Sequence, residues 1–272
     1  MNIAELLLKS LPNSTTPKLD LELLLATALN RPRNFLYTYP KHELTPKQVQ
    51  TFLTLYNRRR NGEPIAYILG KKEFWSLELL INNKVLIPRP DTELLVTTAL
   101  KQLANKKATI VDLGTGSGAI ALALAWERPN WHIIATDLSI DALKLAQQNA
   151  KRFQLTNLEF LYGDWCNALP RKKFDLIISN PPYIATDDPH LQGEIKFEPT
   201  LALVAHEGLA AIQKIISQAP QYLQAGGSLI LEHGDQQKNQ IHTLLQNNNY
   251  CQIISYQDLA GIDRVITGSP CQ

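Results

Sequence analysis

The chain has 272 residues, 44% hydrophobic and 19% charged, with 13 glycines and 16 prolines, which excludes a disordered or collagen-like polymer. Its length exceeds one typical domain and predicts a larger domain with a smaller companion. A formal net charge of +2 is too small to advertise a surface that wraps duplex nucleic acid, while a local basic patch could still steer an RNA or protein partner, so charge leaves the partner open.

Up to about Leu69 the apolar residues recur at helical spacing. This predicts amphipathic helices over Ile3 to Leu11, Leu19 to Leu29 and Pro46 to Arg60, and a weaker turn over Pro64 to Leu69. The third helix has its own start signal. Thr45 is a capping hydroxyl, Pro46 presets the first helical position, and Gln48 stands where it can return the cap bond. It ends in Arg58-Arg59-Arg60-Asn61-Gly62, which reads more simply as charge complementing the helix dipole than as a nucleic-acid contact. Phe74 to Leu80 and Lys84 to Ile87 read as a β-hairpin turning at Ile81-Asn82-Asn83, since asparagine tolerates positive φ. Pro88-Arg89-Pro90 then forces extended chain before a helix from Thr92 to about Leu103, bringing Arg89 and Glu93 towards the ligand cleft of the next domain.

From Thr109 strands alternate with helices. Strands are expected at 109–113, 131–136, 157–161, 174–179, 227–232, 250–255 and 262–267, an α/β pattern implying a parallel sheet covered on both faces. Residues 184–207 are too many for an ordinary connection and read as a lid or substrate wall. The expected organisation is a helical domain over 1–70, a β-hairpin bridge over 71–90 and the sheet domain over 91–272. Cys166, Cys251 and Cys271 are widely spaced and odd in number. They indicate neither a disulfide framework nor a zinc site, and a reducing compartment fits. The histidines lack metal-ligand spacing, and no metal is expected. Met1-Asn2-Ile3-Ala4-Glu5 has no basic stretch leading into an apolar one, and no run is long enough to cross a bilayer, so the cytoplasm is the expected address.

The first strand of the sheet domain ends Asp112-Leu113-Gly114-Thr115-Gly116-Ser117-Gly118 and opens a helix at Ala119. Glycines there permit positive φ and remove Cβ atoms that would keep a ligand from the backbone, while the helix start supplies free N–H groups. Gly114, Gly116 and Ala119 also satisfy dinucleotide spacing, with Asp137 placed for a ribose hydroxyl, so a nicotinamide-dependent oxidoreductase is an alternative. Against it, Asp112 sets a carboxylate at the strand tip, which suits the ammonium of a zwitterion better than a pyrophosphate. Asp164 and Trp165, after the third strand, suit the edge and face of an adenine. The fourth strand empties into Asn180-Pro181-Pro182-Tyr183. Both prolines keep this corner extended and neither offers an N–H, so it presents carbonyl acceptors beside the Asn180 amide, an arrangement suited to an NH2 group. Tyr183 adds a flat face for a planar amide or base.

Together these residues resemble a class I S-adenosylmethionine-dependent methyltransferase, which implies a Rossmann-like seven-stranded sheet. The resemblance places Asp112, Gly114, Thr115, Gly116, Ser117 and Gly118 around the amino-acid end of the cofactor. It places Asp137 on the ribose, Asp164 and Trp165 near the adenine, and Asn180 beside the methionine part. The Asn-Pro-Pro-Tyr corner is shared by enzymes acting on adenine exocyclic amines and on glutamine side-chain amides. A duplex-DNA enzyme would flip the base and usually carries a sizeable basic recognition region, which this charge does not suggest. The N-terminal helices, the hairpin, Pro88 to Glu93, Asp112 to Gly118, Asn180 to Tyr183 and Phe197-Glu198-Pro199 resemble the peptide chain release factor glutamine methyltransferase family over nearly the full length. That resemblance implies that Asn180 and Pro181 accept hydrogen bonds from the substrate amide, with Tyr183 packed on its plane and Pro182 completing the corner. The acceptor it implies is the glutamine of the Gly-Gly-Gln motif in class 1 release factors, recognised with help from residues 1–70. It further implies S-adenosylhomocysteine as product, a monomer, no membrane and no direct nucleic-acid substrate. An adenine-amine methyltransferase acting on DNA or RNA is the alternative.

Overall fold

In the computed structural model, which describes residues 1–104 and 107–271, the start signal at Thr45 operates as its chemistry dictates. Gln48 N donates to Thr45 Oγ1 at 3.3 Å, Thr45 N donates to Gln48 Oε1 at 2.9 Å, and the helix runs Pro46–Arg60. Two compact units form: Met1–Lys71 with His190–Phe197, and Lys72–Pro189 with Glu198–Gln272.

The first unit contains α1 (Ile3–Leu7), α2 (Pro17–Leu29), α3 (Arg33–Thr38), α4 (Pro46–Arg60) and α5 (Ile65–Leu69). Helix α1 ends at Leu7, with its C-cap at Leu8, short of the expected Leu11. Helix α3 was not expected, since its six residues bury only Leu36 and show too little periodicity to read. Ile3, Leu6, Leu24, Leu25, Leu36 and Phe52 form the core. The arginine triplet is not simply a charged helix end. Arg59 is 3% exposed, and its guanidinium meets Asp20 and Glu194, each at 2.5 Å.

Strands β1 (Lys71–Phe74) and β2 (Leu77–Leu80) make the hairpin, with its turn at Trp75-Ser76, not at the asparagines. Both turn residues have positive φ, 52° and 59°, as a two-residue hairpin turn requires even without glycine. Asn82 instead closes a loop, accepting from Lys84 N through Oδ1 at 2.9 Å and from Val85 N through its carbonyl at 3.2 Å. The β character of Lys84 to Ile87 reflects burial of Val85 and Ile87, not strand pairing.

The second unit continues with α6 (Glu93–Leu103), β3 (Thr109–Leu113), α7 (Ala119–Glu127), β4 (His132–Asp137), α8 (Ile140–Arg152), β5 (Leu158–Tyr162) and β6 (Phe174–Ser179). It ends with α9 (Thr200–Leu203), α10 (Ala210–Gln218), β7 (Leu223–Glu232), α11 (Lys238–Asn247), β8 (Tyr250–Gln257) and β9 (Asp263–Pro270). The seven strands lie in the order β5-β4-β3-β6-β7-β9-β8, parallel from β5 to β7, with β9 antiparallel to both neighbours. Central strands of such a sheet are buried on both faces and so read as continuous apolar runs. Ile110 belongs to one buried cluster with Leu95, Ala121 and Leu122 of α6 and α7, and Val111 to another with Ile212, Ile216 and Leu245 of α10 and α11.

Cys251 and Cys271 form a disulfide, contrary to the reading of the cysteines, with Cα atoms 5.2 Å apart. The antiparallel register of β8 on β9, which pairs Cys251 with Ser269 and Tyr250 with Pro270, brings them together. Sequence spacing carries no information about that register. Among the described residues no helix is long and apolar enough to cross a membrane.

Candidate functional site

The parallel strands end at one edge, and their register fixes which residues stand there side by side. Leu113 pairs with Thr136 and with Ser179, Asp137 pairs with Tyr162, and Ser179 pairs with Leu231. Gly114, Asp137, Asp164 and Asn180 thus come together at the carboxyl ends of β3 to β6, where open α/β sheets bind ligands. A cavity of about 650 Å³ lies over them, a size suited to a cofactor-sized molecule.

The glycine loop is clipped to the next strand. Thr115 N donates to Thr136 O at 2.8 Å, and Gly116 N donates to Asp137 Oδ2 at 2.8 Å. Ser139 N holds the other Asp137 oxygen, Oδ1, at 2.8 Å. Burial pushes the Asp137 carboxyl above its ordinary range, and these backbone donors oppose the shift. Gly114 and Gly118 have φ of 73° and 86°; a Cβ on Gly114 would come 3.1 Å from Trp165 Cζ3, and one on Gly118 2.3 Å from Leu122 Cδ1. On Gly116 a Cβ would meet nothing within 4 Å, so that glycine leaves its space to a ligand.

Of the residues singled out from sequence, Gly114, Thr115, Gly116, Ser117, Asp137, Asp164, Trp165, Asn180 and Pro182 line the cavity. Asp112, Gly118, Pro181 and Tyr183 stand behind it. Asp112 is fully buried, accepts from Thr115 Oγ1 at 2.6 Å through Oδ2, and leaves Oδ1 without a partner. Burial pushes its carboxyl up to about 7, against the pull of the Thr115 hydroxyl. The set lining the cavity fits a zwitterion bearing a ribose and an adenine, with backbone free of Cβ atoms, a strand-end carboxylate and an aromatic ring; Asp112, expected to meet the ammonium, instead holds Thr115 from behind the loop.

At the fourth strand end, Asn180 Nδ2 donates to Thr92 Oγ1 at 3.1 Å. This commits the NH2 end of Asn180 and leaves its carbonyl oxygen to serve as an acceptor. Tyr183 donates through its hydroxyl to Glu232 Oε1 at 3.2 Å, its carbonyl accepts from Gln237 Nε2 at 3.0 Å, and its ring packs on the α10–α11 side of the core. It therefore braces the corner from behind rather than offering its face to the cavity. Burial and the neighbouring Glu232 raise its phenol, keeping it protonated.

Sequence reasoning assigned no role to four further residues, two of which, Thr92 and Glu198, lie in motifs it singled out. Thr92 and Lys214 line the cavity, and Lys214 pairs with Asp164. Glu198 is buried and accepts from Ile87 N at 3.0 Å and from the Arg89 guanidinium, which gives Phe197-Glu198-Pro199 its structural sense. Glu232 ends the apolar run of β7 as Asp137 ends that of β4, and that pattern was the signal available for it.

Residues 104–266 match the family described as a methyltransferase domain, and residues 3–70 match the PrmC N-terminal domain. The release factor glutamine methyltransferase of Coxiella burnetii is 51% identical over 93% of this chain and 92% of its own. That of Pseudomonas aeruginosa is 48% identical over 95% and 94%, and that of Escherichia coli 45% over 96% and 95%. Among solved structures, a methyltransferase from Pyrococcus furiosus superposes with a TM-score of 0.55 at 19% identity, over 81% of this chain and 97% of its own. The T. thermophilus 16S rRNA N2 G1207 methyltransferase, solved with AdoMet and guanosine, gives 0.56 at 18% identity over 74% and 50%. These two bear on the fold alone, which is that of the methyltransferase sheet. The extent and identity of the curated relatives decide the family: the chain belongs to the release factor glutamine methyltransferases.

Proposed function

We infer that the enzyme transfers a methyl group from S-adenosylmethionine to the side-chain amide nitrogen of the glutamine in the Gly-Gly-Gln motif of class 1 peptide chain release factors. It does so as a cytoplasmic monomer, with residues 1–70 helping to recognise the protein substrate and no nucleic acid as direct substrate. The observation that supports this best is Asn180, whose NH2 end is spent on Thr92 and whose oxygen remains as an acceptor beside the glycine-loop cavity.

Gly114, Thr115, Gly116 and Ser117 would hold the amino-acid end of the cofactor, Asp137 the ribose hydroxyls, and Asp164 with Trp165 the adenine. Asp112 acts through Thr115 from behind the loop, and Gly118 opens α7. When bound, S-adenosylmethionine supplies a methyl group on a sulfonium, an already activated leaving group. The task left to the protein is the amide. Its nitrogen lone pair is delocalised into the carbonyl, so it attacks only when its hydrogens are held and its lone pair is aimed. The Asn180 side-chain oxygen and the Pro181 carbonyl take those two hydrogens, and Pro182 keeps the corner from relaxing. Both acceptors also favour the positive charge that develops on nitrogen as the N–C bond forms and the C–S bond breaks; the neutral thioether would leave, and the nitrogen then gives up one proton to water.

Labelled methyl transfer to a purified release factor tests the reading. Incorporation into the native factor, with none into its Gln→Ala variant and none into DNA or RNA, is the expected result. Label in nucleic acid, or equal label in the variant, would overturn it.

A further inference from the structure

Glu232 is 1% exposed, lies outside the cavity, and has one oxygen, Oε2, buried without a hydrogen-bond partner. A carboxylate in that position is costly, and binding and aiming the substrate amide leave it no direct task. Its place in the sheet supplies one. Ser179 pairs with Leu231 across β6 and β7, so Glu232 stands one strand away from Asn180. Tyr183, whose loop follows Asn180, donates its hydroxyl to Oε1 at 3.2 Å, and Thr92, whose nearby hydroxyl favours the charged form of Glu232, accepts from Asn180.

We propose that Glu232 is a positioning residue that fixes which end of the Asn180 amide faces the substrate, an inference that rests on the role assigned to Asn180. An ionised carboxylate can only accept. The Tyr183 hydroxyl already donates to Oε1, and the unpartnered Oε2 is left to draw the hydroxyl hydrogen of Thr92, whose Oγ1 then has only lone pairs for Asn180. Asn180 must answer with Nδ2, which turns its oxygen to the cavity. The reversed amide would set oxygen against oxygen and present a donor to the substrate NH2 group.

The charged and titratable groups around Glu232 do not cancel it. Tyr183 comes from the loop, Asp91 from the turn that carries Thr92, and Arg264 from β9. Arg264 is shared with Asp91 at 4.0 Å and Asp258 at 3.3 Å. On β7 itself, His233 is fully buried, with Nδ1 2.7 Å from Gly234 O, and burial lowers its tendency to carry a charge. Burial raises Glu232 to about 7. A protonated Glu232 can donate to either hydroxyl and releases the constraint, so turnover falls as pH drops through neutrality.

Glu232→Gln keeps the volume but supplies a donor. In the full-length enzyme with release factor as substrate, its kcat should fall roughly 10- to 100-fold, the usual cost of losing a group that orients a reacting one. Cofactor affinity by calorimetry should stay within about twofold of wild type, and the fall in kcat below about pH 7 should disappear. Thr92→Val breaks the same chain at its other link and carries the test if Glu232→Gln folds poorly. It should lose a similar factor, and the double variant should be no slower than the worse single one. Wild-type kcat and pH profile in Glu232→Gln, or losses that multiply in the double variant, would overturn the proposal. Asn180→Ala in the same assay separates the two levels. If it is slow while Glu232→Gln is normal, only Glu232 loses its role; if Asn180→Ala is itself normal, the reading of the corner fails with it.

Discussion

Asp112 illustrates how one side chain couples the site to the stability of the fold. Its folded pKa, about 7, lies above its ordinary 3.8 because burial penalises the charge. The folded state thus holds a proton that the unfolded chain releases between those values. Asp112 stabilises most below about pH 4, and its contribution is lost as pH rises towards 7, by on the order of 4 kcal/mol at most. Glu232, raised from 4.5 to about 7, acts in the same direction. Asp112→Asn keeps an acceptor for Thr115 and removes the charge. The difference between thermal unfolding at pH 5 and at pH 8 should therefore be smaller in the variant than in wild type; an unchanged difference would mean that Asp112 is not the titrating group. At this scale much of the site was legible. Asp137 and the glycines follow from strand ends and spacing. The place of Tyr183 was not, because the side of the loop it occupies depends on Glu232 across a strand pairing that no local pattern encodes.

Helices and strands were legible where period and punctuation agreed, and misplaced where a long-range partner decided. Helix α4 and strand β6 have the bounds expected from Thr45-Pro46 and from the apolar run into Asn180. The hairpin turn falls at Trp75-Ser76 because pairing of β1 with β2 overrides the ordinary preference for asparagine or glycine there. Arg59 at the end of α4 is a similar case. Its buried ion pairs with Asp20 on α2 and with Glu194 cannot be inferred from an arginine triplet. Arg59→Met leaves Asp20 buried with the Ser14 and Thr16 hydroxyls at 2.7 and 3.2 Å but no guanidinium. Removing one partner of a buried pair typically costs about 3 to 5 kcal/mol. Denaturant unfolding should show that loss in the transition of the first unit. Kinetics should show a raised KM for the release factor with cofactor affinity unchanged, if the first unit serves substrate recognition. A variant of wild-type stability and KM would contradict both.

For the whole molecule, alternation of strand and helix was enough to read the sheet, since central parallel strands advertise themselves as apolar runs. What alternation could not reveal was the assignment of His190–Phe197 to the first unit, because nothing in those residues names Arg59 or Phe197's neighbour Gly62 as their partners. The cysteine pair was missed for the same reason: antiparallel register joins positions that look unrelated along the chain. Methyl transfer to an NH2 group was legible because ligand sites on this architecture collect at consecutive strand ends, each with a residue whose chemistry narrows the choice; the release-factor glutamine was legible only through the resemblance to its family. The holding and aiming of the acceptor NH2 group rests on Asn180. The most direct test is the turnover of Asn180→Ala on a release factor, measured beside its cofactor affinity. Loss of an acceptor that acts mainly in the transition state costs on the order of 10² to 10³ in rate, about 2.7 to 4 kcal/mol. A loss of that size in kcat is expected, with a much smaller change in cofactor affinity; near wild-type turnover on the release-factor glutamine would contradict the role given to Asn180.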